Sequence, residues 1–178
     1  MERNKVADAS QALRHRLAIF ARGAEKMAEQ FDDSLKELEQ TVMEDMRQIY
    51  SDKTIDHFLN PRNLGQIPTS DGFGRIIGGC GDTMEIYLRV KDGKVTNASF
   101  WTDGCGPSIA SGSMVTELVK GKSVLAAQKI NQQDVLDALG GLPEESIHCA
   151  LLAADTLKEA IKDYLAFEKE PWKRAYKR

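Results

Sequence analysis

The stretch from Met84 to Thr102 constrains the fold more than any other part of the chain. Met84, Ile86, Leu88 and Val90 alternate with Glu85, Tyr87, Arg89 and Lys91. Asp92-Gly93 then marks a turn, and KVTNASFWT (94–102) reads as the returning strand. Such a pair is half-buried, so one face must be covered by something else. Register can be tested on paper. A two-residue loop at Asp92-Gly93 sets Ser99 opposite Ile86 and Asn97 opposite Leu88, which mixes the faces. A three-residue loop, Lys91 to Gly93 with Gly93 left-handed, pairs Met84 with Phe100 and Ile86 with Ala98. That is the expected register. Continued, it sets Asp82 opposite Thr102 and Cys80 opposite Gly104, with Cys105 next. Two cysteines 25 positions apart then meet at one hairpin end, with a carboxylate between them.

The cover is helical. After Cys105, Pro107 suits a first helical turn and Gly121 a helix stop. Ser123 and Asn131 read as caps of two short helices, the second closed by Gly140-Gly141. Leu142-Pro143 leads into IHCALLAADTLKEAI (147–161), a helix. Projection puts Ile147, Leu151, Ala154, Leu157, Ile161, Tyr164 and Leu165 in one arc. His148 and Cys149 fall outside that arc, at the N-terminal end. Strands followed by helices, without βαβ alternation, predict an α+β fold: a small antiparallel sheet covered by helices.

Upstream, residues 61–72 read as loop, and a short helix over 52–59 ends at Asn60-Pro61. Residues 5–50 read as helix, with apolar positions Leu13, Leu17, Phe20, Ala24, Met27, Phe31, Leu35, Leu38, Val42, Met46 and Ile49 at near-heptad spacing. This stripe needs a cover: the main domain, a hairpin near Gly23, or another copy. Self-association is the preferred expectation. The chain therefore divides into a helical extension and candidate coiled coil (1–50), a main domain (51–168) and a basic tail (169–178).

A 178-residue chain with 42% hydrophobic and 29% charged residues is globular by composition. Its net charge of -3 recruits no nucleic acid. No apolar run spans a membrane, and MERNKVADAS has no signal-peptide core, so a cytoplasmic location is expected.

The three cysteines, Cys80, Cys105 and Cys149, argue against a disulfide framework. Each lies in its own turn-rich or helix-start stretch: GGCGD, DGCGPS and IHC. Cys80, Asp82, Cys105, His148 and Cys149 are therefore the candidate ligands of one site, suited to zinc, iron or an iron–sulfur cluster. Paired CxxC knuckles are absent. Five donors exceed the need of a tetrahedral site, which suggests ligand exchange. A zinc-stabilised interaction module, and a thiol enzyme using Cys149 with His148 as base, are the competing classes.

HFLNPRNLG (57–65), GGCGDTMEI (78–86), TDGCGPSIASGSMVTELVKGKS (102–123) and IHCALLAADTLKEAI closely resemble the IscU/NifU family of iron–sulfur cluster assembly scaffolds. The resemblance covers residues 52–165 and implies a three-stranded sheet with helices. It implies a transient [2Fe-2S] cluster, Fe²⁺ or Zn²⁺ in the cluster-free form, and sulfur delivered as persulfide by a cysteine desulfurase. Apo-proteins would receive the cluster, a ferredoxin is the candidate electron donor, and the role is that of a carrier rather than a catalyst. Cys80, Cys105 and Cys149 match the thiolate ligands, Asp82 the acidic ligand, and His148 the histidine that alternates with it. Cys149 matches the sulfur acceptor, expected to ionise at a helix N-terminus beside an imidazole. His148 brings the chain closer to IscU than to SufU-type relatives. Three departures stand out. The family's LPPVK chaperone segment reads LPEES (142–146), which argues against dependence on the specialised Hsp70. Residues 1–50 have no counterpart in single-domain scaffolds. No second Cys-rich domain follows, unlike full-length NifU.

Overall fold

A computed structural model describes the backbone of residues 2–168 and 172, and the side chains of residues 26–168 and 172. The basic tail expected over 169–178 lies, Trp172 apart, outside the described residues. The chain divides into two compact units between Met46 and Arg47. The first is formed by helix α1 (Glu2–Ile49), 48 residues long and continuous through Gly23. A hairpin at Gly23, one of three ways to cover the stripe, is therefore not formed.

The second unit runs α2 (Asp52–Leu59), β1 (Gly72–Ile77), β2 (Thr83–Lys91), β3 (Lys94–Thr102), α3 (Gly106–Val119), α4 (Val124–Ala127), α5 (Gln132–Leu139) and α6 (Ile147–Glu168), with a 3₁₀ turn at Glu144–Ser146. The sheet is antiparallel in the order β1-β2-β3, so the fold is α+β as expected. Met84, Ile86 and Leu88 of β2 and Val95, Ala98 and Phe100 of β3 are fully buried, in one core with apolar residues of α3, α5 and α6. Each large side chain in that core contributes about 1.5–3 kcal/mol by leaving water.

The hairpin register corrects the expectation. The loop has two residues, with Asp92 at φ 52° and Gly93 at φ 70°, and Lys91 faces Lys94. The register then shifts between Arg89 and Val90, leaving Thr96 as an extra residue on β3. Beyond this bulge Ile86 faces Phe100, Leu88 faces Ala98 and Met84 faces Thr102. The actual pairing differs from the expected one by two residues, an even number. Apolar therefore still meets apolar. The turn takes the two-residue form that matches strand twist, and the bulge restores the faces.

Strand β1 begins where the expected loop over 61–72 ends, and no alternation of its own marks it in the sequence. Its glycines have a packing role. A β-carbon on Gly74 would stand 2.6 Å from the Ala160 nitrogen, so β1 lets the backbone of α6 lie directly on it. Helix α6 in turn buries Cys149, Ala150, Leu152, Ala153, Ala154, Thr156, Leu157, Ala160 and Ile161. The projected arc is thus corrected: Leu151 is 44% exposed, whereas Cys149 is fully buried. The close approach of α6 to β1 at Thr156 and Ala160 turns the buried face away from Leu151.

Candidate functional site

Four segments converge at the end of the sheet away from the Asp92-Gly93 turn. The turn between β1 and β2 carries Cys80 and Asp82. It closes on itself through Gly78 N–H to Asp82 O (2.8 Å) and Gly81 N–H to Gly78 O (3.0 Å), with Gly81 at φ 92°. The exit of β3 carries Gly104 and Cys105. Two bonds tie these segments: Thr83 N–H donates to Asp103 Oδ1 (2.7 Å), and Thr102 Oγ1 donates to the Thr83 carbonyl (2.7 Å). Cys105 is the N-cap of α3, as its position before Pro107 suggested, and its side chain makes no capping bond. Ser108 follows one turn later and is fully buried. The fourth segment is the start of α6, with His148 and Cys149.

Ser108 joins these groups. Its Oγ donates to Asp82 Oδ2 at 2.8 Å, stands 3.3 Å from Cys149 Sγ, and lies 3.7 Å from Cys105 Sγ. A hydroxyl has one proton to donate. While Cys149 is a thiol, the carboxylate is the stronger acceptor and takes that proton. The Cys105 N–H points to the same Asp82 oxygen at 3.4 Å. His148 is exposed, with Nε2 3.6 Å from Cys149 Sγ. Cys80 is exposed. A β-carbon on Gly78 would sit 3.5 Å from Cys80 Sγ and 3.2 Å from Leu152 Cδ2, one turn of α6 past Cys149.

All three thiols are free. Burial pushes the Cys149 thiol up to about 12, and the neighbouring Cys105 and Cys80 add to this, while Ser108 opposes it. This corrects the expectation that Cys149 ionises readily because it begins a helix beside an imidazole. Loss of solvent outweighs the helix terminus. Among the described residues no three His, Cys, Asp or Glu side chains form a ready metal-holding cluster. Asp82, Cys105 and Cys149 are instead held a hydroxyl apart, around Ser108, while Cys80 and His148 stand exposed outside that trio.

Sequence reasoning missed two participants. Ser108 closes the DGCGPS stretch, and its position one helical turn after Cys105 is the local signal that separates it from Ser111 and Ser113. Gly104 was taken as a generic glycine beside a thiol. Its role follows from the fold: a β-carbon there would overlap Asp82 Oδ2 and stand 2.7 Å from Ser108 Cβ.

A buried polar set lies beside this site. His57 on α2 is 5% exposed, with Nδ1 2.8 Å from Ser113 Oγ and Nε2 3.7 Å from Glu117. Arg62 N–H donates to the same Ser113 Oγ at 2.9 Å. Burial holds His57 below its ordinary range, and the Arg62 guanidinium adds to that. The HFLNPRN segment is thereby fastened to α3.

Residues 49–171 match the family model described as the NifU-like N terminal domain. The iron–sulfur cluster assembly scaffold protein IscU 1 of Archaeoglobus fulgidus is 50% identical over 117 residues, which cover 65% of this chain and 76% of that protein. The iron–sulfur cluster assembly scaffold protein IscU of Escherichia coli K12 is 48% identical over 120 residues, covering 65% of this chain and 93% of that protein. Among solved structures, a nitrogen-fixing NifU-like protein (N-terminal) from Brucella abortus superposes with a TM-score of 0.53 at 23% identity, over 66% of this chain and 95% of that one. The last likeness concerns the fold alone.

Proposed function

The chain belongs to the NifU-like N-terminal domain family, and we propose that it is an iron–sulfur cluster assembly scaffold. The cluster is its cargo. One observation carries the assignment to particular residues: Asp82 Oδ2, Cys149 Sγ and Cys105 Sγ all lie within 3.7 Å of a single buried hydroxyl. In our reading Cys80, Cys105 and Cys149 supply thiolates to a [2Fe-2S] cluster, and Asp82 supplies the fourth ligand. His148 is the alternate to Asp82. A hard carboxylate oxygen matches iron–sulfide less well than thiolate does, which makes one bond exchangeable. Iron or zinc would occupy the same donors in the cluster-free form.

Cys149 is the proposed sulfur acceptor. Once Cys149 is uncovered and its proton passes to a base, for which His148 Nε2 at 3.6 Å is placed, its thiolate would attack the outer sulfur of a desulfurase persulfide, take that sulfur, and release the desulfurase cysteine as thiolate. Reducing each transferred sulfur to sulfide takes two electrons, for which a ferredoxin is the proposed donor. Apo-proteins receive the finished cluster, and the chain acts as a carrier in the cytoplasm rather than as a catalyst. Among the described residues no helix is long and apolar enough to cross a membrane.

The test is anaerobic reconstitution with iron, cysteine and a desulfurase, followed by visible absorption. Cluster bands with two irons and two sulfides per chain are expected in the parent. Loss of those bands on replacing any one of the three cysteines by serine is expected as well. Reconstitution that survived loss of Cys105 would remove this ligand set.

A further inference from the structure

We infer that two copies of this chain pair antiparallel along α1, about a two-fold axis passing between Glu25 and Lys26. Four observations carry the inference. The first is the symmetry of the apolar stripe. Counted outward from that axis, Leu13 mirrors Leu38, Phe20 mirrors Phe31 and Ala24 mirrors Met27, while Leu17 mirrors Leu35 with an offset of one residue. Three of these four pairs repeat the same residue type; farther out Val42, Met46 and Ile49 mirror Ala9, Lys5 and Glu2, so the symmetry is that of residues 13–38. An isologous antiparallel contact requires this, because each layer must be built from position i of one copy and its mirror position in the other.

The second is charge. Residues 3–22 hold five Lys/Arg and one acid, whereas residues 29–45 hold seven acids and one Lys. That lysine, Lys36, already pairs with Asp32 (3.1 Å) and Asp33 (3.7 Å) of its own helix. Antiparallel pairing lays the basic half of one copy along the acidic half of the other. Parallel pairing would set like against like.

The third is continuity. The same mirror symmetry would suit a helical hairpin folded at residue 25, closing on itself within one chain. Helix α1 runs unbroken from Glu2 to Ile49, through the axis. The two mirrored halves are then ends of one rod and cannot meet within a chain, whereas a second copy laid antiparallel supplies each half with its mirror.

The fourth is exposure. Met27 is 72%, Phe31 67% and Leu38 60% exposed, and Leu35 and Val42 are also exposed. From Met27 onward the stripe steps 4-4-3 to Leu38 and again to Ile49, an eleven-residue repeat. That repeat keeps the seam on one side of a nearly straight helix. It suits a long contact with another straight helix.

The test is disulfide capture in the full chain. Leu13→Cys combined with Leu38→Cys should, on mild oxidation, give a species of twice the chain mass, with a 13-to-38 link between copies identified by peptide mass spectrometry. Each single variant should give no link between copies at the new cysteine. A 13-to-13 link in Leu13→Cys alone would overturn the antiparallel arrangement. A 13-to-38 link within one chain would establish the hairpin instead. Light scattering on the unmodified protein should report two chains, and the mass of one chain would overturn pairing. Charge reversal is the independent arm. Arg14→Glu with Arg16→Glu should weaken self-association about tenfold, and adding Glu37→Lys with Glu39→Lys should recover most of it. Failure of that recovery would show that the halves do not face each other. Cluster absorption should be unchanged in every one of these variants, which separates this result from the fate of the scaffold reading.

Discussion

Gly104 lacks a side chain where Asp82 needs the room: a β-carbon at 104 would overlap the carboxylate oxygen that Ser108 holds. The position of the proposed weak ligand is therefore set from outside, by a glycine 22 residues away in the chain. Gly104→Ala should leave the fold intact at a cost of about 1–3 kcal/mol, typical of inserting a methyl into a filled site. It should also displace the Asp82 carboxylate. Cluster half-life in air is then expected to lengthen and transfer to an apo-acceptor to slow. A variant with parental transfer kinetics and an unchanged melting temperature would show that the space is not in fact filled.

Asp82→Ala should act in the same direction and more strongly. It keeps three thiolates and removes the exchangeable oxygen ligand. Decay of the visible bands in air, compared with the parent, is the measurement. Faster decay in a folded variant would make Asp82 a stabilising ligand and reverse the account of release.

Cys149 should be the slowest of the three thiols to alkylate. It is fully buried, whereas Cys80 and Cys105 are exposed. Its thiol is also pushed up to about 12 by burial. The proton is held more tightly in the folded chain than in the unfolded one. Stability from this group is therefore complete at neutral pH and should fall as pH rises past the ordinary thiol range near 8.5 toward 12. Urea midpoints should be flat around neutrality and decline above about pH 9. In Cys149→Ser that alkaline decline should diminish, and persulfide acceptance from a desulfurase should be lost.

His57 carries the opposite dependence. Its folded value is depressed by burial, so the unfolded chain binds the proton more readily. Stability from this group is present above the ordinary histidine range and is lost as pH falls below about 6.5. His57→Gln keeps a polar group near Ser113 and should flatten the fall in denaturation midpoint between about pH 7 and about pH 5. An unaltered acid limb in that variant would assign the dependence elsewhere.

The LPEES segment places Glu144 and Glu145 on the surface and buries Ser146 in the 3₁₀ turn that leads into α6. Two exposed carboxylates stand where the family's chaperone segment has proline and valine. Glu144→Pro with Glu145→Val should raise binding to the specialised Hsp70, measured by calorimetry. Equal strong binding by both proteins would remove the segment from consideration.

How far the residues themselves disclosed this molecule varied by feature. The helix over 52–59, the strand over 94–102, the capping roles of Ser123 and Asn131, and Cys105 before α3 were all legible, because each rests on local chemistry. The hairpin register was legible only in parity. Side-chain alternation senses odd or even, so a bulge at Thr96 that moved the pairing by two left no trace in it. The burial of Cys149 was not legible either. It depends on how α6 lies across β1, where Gly72 and Gly74 receive the backbone at Thr156 and Ala160, a property of the partner surface. Ser108 is the clearest omission. Cys105 is its neighbour in sequence, but its importance comes from Asp82 and Cys149, which arrive from distant segments.

Strand β3 is an outer strand of the sheet, yet on its open side Phe100 and Val95 are already bonded. Gly65 N–H donates to the Phe100 carbonyl, and Phe100 N–H donates to the Asn63 carbonyl. Farther along, Val95 N–H reaches Lys122 O, and Gly121 N–H reaches Val95 O. An unoccupied edge is a template on which another polypeptide can add strand upon strand. At Phe100 and Val95 both backbone groups on this flank are already taken by the chain's own loops, so an incoming strand would find those docking positions filled.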